Sequence, residues 1–436
     1  VFTHSDNKLN LKSKIGSIVL THKDVDKLAT TDTGVCIGIL TATSITSPKY
    51  AGDARCNIIL GTCAGLAITD TVTTGANHNI IMGTCAAERL CHGGSNVFLG
   101  SCAGQHATCM SNAIAIGANA GKNAQAAGGA LIAIGLNAGV CNTLADGNVF
   151  VGAMAGQFHT GGGNYNFYGG YATGRVGNYN CSDGPTGGSC NIALGFNAFG
   201  QRAGGHNNVI LGRYAGYANS TGCNNFASNN GALMCNVSGS NNFAGGYVTL
   251  TSNTTGYNNV AIGPAAMRNN TSGVNNIALG QCTLALNTTG GNNIAIGHCT
   301  MRCHDTTGNN NTALGYSALR ENEGSYNVAL GSLALFCNTT GCYNTSLNYN
   351  SSKCNTTGCH NVSIGLCAAP LNETSSDNIS IGQHTNYCGK GAANIAIGRK
   401  SRFHDDLVGN SFNVAIGDCA MMGATNMGTS TGNVAI

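Results

Sequence analysis

Cysteine is the residue type in this chain with the clearest chemical potential, since 22 of its 436 residues are cysteines. Some of them recur 17 residues apart, as Cys337 and Cys354 do, and as Cys342 and Cys359 do. Stacked repeats about 4.8 Å apart would bring such pairs into the Cα range of a disulfide. We therefore predict bridges between these two pairs. Further candidate disulfide residues are Cys181, Cys190, Cys282 and Cys299.

Two other uses of the cysteines compete with disulfides. Zinc binding is disfavoured because the chain has no Cys-x-x-Cys pair and its 12 histidines are scattered. A buried free thiol acting as a small apolar group is the other alternative. Disulfides would place the protein in an oxidising compartment, so we expect it to be secreted or on a virion surface. No metal and no cofactor is predicted.

A second possible modification concerns asparagine. Eight asparagines of the predicted turns, mostly at intervals of 17 residues, each begin an Asn-x-Ser/Thr sequence. Such sequons on one edge of a stack predict a stripe of N-glycans in a secreted protein. The alternative is that Asn-Thr-Thr-Gly is simply a favourable turn. The candidate glycosylation sites are Asn219, Asn236, Asn253, Asn270, Asn287, Asn338, Asn355 and Asn372.

Residues for enzymatic chemistry are sparse. The chain has only 17 acidic residues, and the sequence shows no two of them in equal positions of adjacent repeats. Hydrolysis of a polysaccharide would need such a carboxylate pair. There is no Gly-x-Ser-x-Gly motif and no phosphate-binding loop. A non-enzymatic protein is therefore predicted, with a tailspike-like polysaccharide hydrolase as a remote alternative.

The overall composition excludes several classes of protein. Charged residues make up 8% of the chain and hydrophobic residues 42%, a balance that does not fit disorder. Glycine is abundant at 65 residues, but four prolines are too few for collagen. The net charge of +3 gives no argument for nucleic acid binding. No apolar run approaches the roughly 20 residues of a membrane span.

A repeat of 17 residues organises most of the chain. Its core is Asn-Ile/Val-Ala-Ile/Leu-Gly, as in Asn276–Gly280 and Asn293–Gly297, and about 23 copies can be found, beginning with a weak one at Gly34. The alternation of large apolar and small residues with period two predicts a short strand. The glycine after it predicts a sharp bend. We predict an all-β solenoid or β-roll with two short strands and two turns in each repeat. Residues 34–436 would form it, with a longer loop at 167–190, and residues 1–33 would form a cap or assembly segment.

The alternation also suggests how the stack associates. Both faces of the strand carry apolar or small residues: Ile294 and Ile296 lie on one face and Ala295 on the other. A single solenoid would leave one face polar. We therefore expect the alanine face to pack against another chain, in a homotrimer. Head-to-tail association into a filament, through the charged segment 1–33, is a further expectation.

The string Asn287-Thr-Thr-Gly-Gly-Asn-Asn-Ile-Ala-Ile-Gly297 is similar to repeats of phage and viral tail fibres. The shorter Asn-x-Ala-Ile-Gly core resembles the head repeats of trimeric autotransporter adhesins. The resemblance implies a homotrimeric β-roll or β-helical fibre with an attachment or scaffolding role. An extracellular structural fibre subunit is thus the predicted function. A viral or phage receptor-binding fibre or adhesin is the alternative, with a glycan or a cell-surface receptor as its partner.

Overall fold

The computed structural model shows a β protein made of stacked parallel rungs. It divides into two compact units, Val1–Cys190 and Asn191–Ile436. The structure describes residues 3–5, 8–10, 19–22, 25–31, 34–37, 57–68, 76–125, 130–143, 146–159, 163–175, 188–201, 204–302, 308–388, 391–402, 411–422 and 431–436. In these ranges there is no helix, so none that could cross a membrane.

The first unit begins with two small antiparallel sheets. One pairs β1 with β2, and the other has the order β3-β4-β5. The bounds of these strands are Thr3–Ser5, Lys8–Asn10, Val19–His22, Val25–Thr31 and Gly34–Ile37. The weak repeat expected at Gly34 is therefore not a rung of the solenoid. Its backbone pairs with β4, which runs in the opposite direction.

Seven parallel rungs follow in the first unit. Each contributes one strand of three or four residues, and neighbouring strands pair in register. Strands β6 to β12 are Ile58–Leu60, Ile80–Met82, Val97–Leu99, Ile114–Ile116, Leu131–Ile134, Asn148–Val151 and Phe167–Gly169. Part of the loop predicted at 167–190 is thus a regular rung, and residues 176–187 of it lie outside the described residues.

The second unit contains fifteen described strands in the same arrangement. Every strand pairs in parallel with the next, with no shift of register. Strands β13 to β27 are Ile192–Leu194, Val209–Leu211, Phe226–Ser228, Phe243–Gly245, Val260–Ile262, Ile277–Leu279, Ile294–Ile296, Thr312–Leu314, Val328–Leu330, Thr345–Leu347, Val362–Ile364, Ile379–Ile381, Ile395–Ile397, Val414–Ile416 and Val434–Ala435. The predicted all-β solenoid with a 17-residue period is confirmed.

The glycine that follows most of the strands is favoured by the backbone conformation at that position. Gly280 and Gly297 have φ angles of +129° and +135°, values that L-residues rarely adopt. A side chain at Gly280 would also overlap the carbonyl oxygen of Gly297 in the next rung. Close approach of successive rungs and the bend of each rung therefore depend on the same residue.

The second strand predicted for each rung is wrong. The segment after the glycine alternates into the left-handed region instead, with φ of 55° at Cys282 and 49° at Leu284. Its N–H groups bond alternately to the two neighbouring rungs. That of Cys282 donates to Pro264 (3.0 Å), and that of Leu284 donates to Thr300 (3.0 Å). The rungs are thus joined on this side as well, without a β-strand.

The interior of each rung is narrow and lies inside a single chain. The central strand residue points inward, so Ala295 is 0% exposed within its own chain. The alanine face was expected to contact a second chain, and the structure corrects this. The expectation failed because the small central residues lie inside the coil, opposite a large side chain of the same rung.

Side-chain volume is balanced across this interior. In the second unit, where the central strand residue is alanine, the residue six positions later is large, as in Ala278 with Leu284, which is buried. Where it is aromatic, that position is glycine, as in Phe98 with Gly104. A Cβ atom at Gly104 would overlap the Phe98 ring. In such rungs one large group fills the space between the two positions, which keeps the packing dense.

Candidate functional site

The outer face of the parallel sheet carries at least one apolar side chain in every described rung of the second unit. The first and third residues of each strand point outward and remain partly exposed. Ile262 is 43% exposed, Leu314 is 48% exposed and Ile294 is 39% exposed. These positions hold no charged residue in any described strand of the second unit. Two columns of apolar groups therefore run along the sheet; we call them the outer apolar face.

A ladder of asparagines fixes the strands that display this face. The first residue of the repeat core is buried in nearly every rung. The Oδ1 atom of Asn276 accepts the N–H of Asn293 at 2.9 Å, and its Nδ2 donates to Oδ1 of Asn259 at 3.2 Å. Nδ2 also donates to the carbonyl oxygen of Gly290 at 2.8 Å. Each amide thus ties three rungs together and sets the register.

Seven of the eight candidate glycosylation sites belong to a second buried ladder, and the eighth, Asn372, is buried with its Nδ2 donating to the carbonyl oxygen of Ser375. Nδ2 of Asn270 donates to Oδ1 of Asn253 at 2.8 Å and to the carbonyl oxygen of Gly273 at 3.1 Å. All eight side chains are at most 2% exposed. A glycan would have to be attached to this same nitrogen, in an interior without space for it. This burial favours the alternative that the motif is a turn, and glycosylation of these asparagines stays a prediction.

One rung shows that this ladder is independent of the sequon. Asn322 is followed by Glu323 and Gly324, so it is not a glycosylation sequence. It is nevertheless 3% exposed, and its Oδ1 accepts a hydrogen bond from Nδ2 of Asn338 at 2.6 Å. Asn322 therefore has the same structural role in the turn and the ladder without a sequon. This supports the alternative that Asn-Thr-Thr-Gly is simply a favourable turn.

The predicted disulfides are not formed in this structure. Among the candidate residues, Cys190, Cys282, Cys299, Cys337, Cys342, Cys354 and Cys359 carry free thiols, and Cys181 lies outside the described residues. The turn thiols are held by backbone groups instead. Sγ of Cys359 accepts the N–H of Cys342 at 3.2 Å, and Sγ of Cys342 lies 3.3 Å from the carbonyl oxygen of Thr340. Equal register brings Cys342 and Cys359 to adjacent rungs, but these two thiols bond to backbone groups.

Burial also makes one of these thiols less reactive. The pKa of Cys337 is raised first by burial and then by the adjacent Cys354 thiol. The thiolate is the reactive form, so a raised pKa slows oxidation and exchange. Cys337 and Cys354 are therefore stacked thiols within the wall of the solenoid.

His159 occupies the turn-asparagine position of its rung in the first unit. It is 0% exposed, lies 5.7 Å from the rings of Phe150 and Tyr168, and approaches Nδ2 of Asn166 at 3.4 Å. Burial lowers the pKa of His159 from 6.5 to about 4. The imidazole is therefore neutral in the folded unit at neutral pH.

This environment predicts a loss of stability in mild acid. The unfolded chain takes up the proton below about pH 6.5, whereas the folded unit resists it until about pH 4. The free energy of unfolding should therefore fall between these pH values, by about 3 kcal/mol in total. Urea unfolding of the wild type and of His159→Asn across this range measures the effect. The asparagine variant should lack this component, and identical pH profiles for both proteins would contradict it.

Stacked rings form an exposed column on another side of the second unit. The rings of Tyr326 and Tyr343 are 4.7 Å apart and parallel within 3°, and His360 follows at 5.2 Å. Nδ1 of His360 lies 3.7 Å from a carboxylate oxygen of Asp377. Because the rings cover each other's faces, the column presents mainly ring edges to solvent. Sugars stack on ring faces, so this geometry suits packing better than glycan binding.

Comparison with known proteins does not assign this chain to a family. No family model, no curated protein and no solved structure matches it. The resemblance to tail-fibre and adhesin repeats is therefore supported only by the repetitive parallel solenoid itself.

One cluster of possible metal ligands was not predicted from the sequence. Cys91, His92 and Cys109 in the first unit place two sulfur atoms and a ring nitrogen within 4.8 Å of one another. It was overlooked because the ligands come from two rungs and form no Cys-x-x-Cys motif. The signal was present, since His92 and Cys109 are 17 residues apart and so fall in equal register.

Proposed function

We propose that this chain is a non-enzymatic structural fibre subunit that associates with copies of itself through the outer apolar face. The observation that carries the proposal is the continuity of that face along the second unit. Half-exposed isoleucine, leucine, valine and phenylalanine side chains recur rung after rung without an intervening charge. Contiguous apolar surface of this kind is typical of protein–protein contacts.

Regular geometry makes a second copy the best partner for this face. The strands repeat in register, so the same two outward positions recur in every rung. A surface with the same period matches these positions at every rung, and a copy of the chain has that period. Repeated contacts add along the length of the stack, which lets individually weak apolar contacts give a stable fibre.

The backbone supports a role outside the cell or on a virion surface, which is part of the proposal. Successive rungs bond to each other through the strands and also through the left-handed segments. Proteases cut locally unfolded chain, and a backbone bonded on two sides opens rarely. A backbone that resists proteolysis in this way suits a structural protein that is exposed to proteases outside the cell.

Charges placed on the outer apolar face should prevent association. We expect the triple variant Ile262→Lys, Ile294→Lys and Leu314→Lys to remain folded, because the three positions are partly exposed. It should nevertheless sediment as a smaller species than the wild type, since contact would bury unpaired charges. Analytical ultracentrifugation, with circular dichroism as the measure of folding, provides the test.

A matched control separates the face from the effect of added charge. Thr221, Thr255 and Thr289 are exposed turn residues in alternate rungs. Replacing all three by lysine adds the same charge away from the outer apolar face and should leave association unchanged. A monomeric wild type, or a face variant that associates like the wild type, would refute the proposed function.

A further inference from the structure

We propose that Cys91, His92 and Cys109 form a binding site for a thiophilic metal ion, with Zn²⁺ as the best fit. The donor atoms are two thiol sulfurs and one imidazole nitrogen, all within 4.8 Å of one another. Cys91 is half-buried, and His92 and Cys109 are exposed, so the cluster is open to ions from solvent. This site is independent of the proposed association of the chain.

The backbone brings the ligands together through one carbonyl group. The N–H groups of Cys91 and His92 both donate to the oxygen of Thr108, at 3.1 and 3.0 Å. Because the two consecutive N–H groups share one acceptor, the backbone bends at Cys91 and His92. The bend brings Sγ of Cys91 and Nδ1 of His92 within 3.2 Å of each other. In an extended strand, consecutive side chains would point to opposite faces. His92 also pairs in parallel with Cys109, which supplies the third ligand.

The turn that follows keeps these positions fixed. Gly93 has a φ of +101°, and a Cβ atom there would overlap the carbonyl oxygen of Met110 in the next rung. Gly94 is bonded through its N–H to Oγ of Ser111 at 3.3 Å. The two rungs are thus in close contact directly beside the cluster. The ligands are held before any ion binds, which lowers the entropic cost of binding.

The donor set and its dimensions select the metal. Tetrahedral zinc with two sulfurs and one nitrogen holds its ligand atoms about 3.5–3.8 Å apart. The contact of 3.2 Å between Cys91 and His92 needs only a small adjustment. Thiolate and imidazole ligands disfavour Mg²⁺ and Ca²⁺, which prefer oxygen. Three protein ligands leave the fourth position to water. Binding releases the two thiol protons to solvent, so affinity should increase with pH.

Another column of thiols in the first unit provides an internal comparison. Cys63, Cys85 and Cys102 occupy equal positions of three consecutive rungs. The first and third members are two rungs, or about 9.6 Å, apart, so one ion cannot contact all three. In the part of the chain that the structure describes, only the Cys91–His92–Cys109 group brings three such ligand atoms together.

The test uses the full chain in its reduced form, with Zn²⁺ and Co²⁺ as probes. The wild type should retain zinc after dialysis and bind Co²⁺ with thiolate charge-transfer bands and tetrahedral d–d absorption. Cys91→Ser, Cys109→Ser and His92→Ala should each lose this signal at the same metal concentration. The matched control Cys63→Ser removes an exposed thiol from the other column and should bind like the wild type.

Each outcome decides the assignment. Retention of the cobalt spectrum in Cys109→Ser, or its loss in Cys63→Ser, would overturn the site. Failure of the wild type to bind either ion would also overturn it. Circular dichroism of each variant shows whether lost binding follows from lost structure. If His92→Ala is misfolded, His92→Gln keeps a polar side chain of similar size without an imidazole ligand. The Gln variant must also lose the signal if the assignment is correct.

Discussion

Replacement of Ala295 by arginine should unfold the rungs around it. Ala295 is 0% exposed and lies between Ala278 and Ala313 of the neighbouring strands. Met301, six positions later, already supplies the one large buried side chain of this rung. The variant would therefore combine overpacking with an unpaired buried charge. We expect the free energy of unfolding of the second unit to fall by on the order of 5 kcal/mol. Urea denaturation followed by circular dichroism measures it.

The adjacent residue provides the control. Ile294 is 39% exposed on the outer apolar face. The variant Ile294→Arg therefore places the same charge in the same strand, but on its solvent-facing side. Its effect on the unfolding of the unassociated chain should stay within about 1 kcal/mol, whereas association should be weakened. Equal destabilisation by the two substitutions would mean that the inner and outer faces of the strand have been wrongly assigned.

Removal of a turn asparagine should also have a large effect. Asn270→Ala deletes two hydrogen bonds donated by Nδ2 and one accepted from Asn287 at 2.9 Å. Oδ1 of Asn253 then loses a partner within a closed interior. Buried polar groups left without a partner cost about 1–3 kcal/mol each. We expect a loss of about 3 kcal/mol in the free energy of unfolding, measured as a lower urea midpoint.

The same sequon provides a control that spares the amide. Ser272 is exposed, and Ser272→Ala destroys the Asn-Thr-Ser sequon while Asn270 keeps its ladder. This variant should unfold like the wild type, within about 0.5 kcal/mol. The mass of wild-type protein produced through a secretory pathway should show no glycan on Asn270. A glycan found there, or equal destabilisation by both substitutions, would contradict the structural role of the ladder.

The period, one strand of each rung and the bend after it could all be predicted from the amino-acid sequence. A 17-residue recurrence of Asn-Ile-Ala-Ile-Gly places like residues in register, and parallel strands follow because each repeat meets a copy of itself. The glycine signal is also local, since a φ of +129° at Gly280 is a property of that residue type. Even the volume balance could have been predicted, because Phe98 with Gly104 and Ala278 with Leu284 occupy the same two positions of the repeat.

Only the tertiary structure decided which side of each strand is closed. The alternation of residue types along a strand shows that its two faces differ. Which of these faces lies inside depends on the direction in which the coil closes. The alanines proved to be inside, because the narrow interior has space for one large group per rung, which Met301 already provides opposite Ala295. The same closure buries the turn asparagines, removing Asn270 from the surface where a glycan could be attached.

Contacts between rungs were likewise decided in three dimensions. Equal register put Cys342 and Cys359 on adjacent rungs, yet the direction of each thiol depends on the backbone groups around the turn. Cys91 and His92 show the reverse case, since a shared bond to one carbonyl group turns neighbouring side chains toward Cys109. Spacing along the chain fixes which residues become neighbours. The bend of the backbone between rungs fixes which of their atoms can meet.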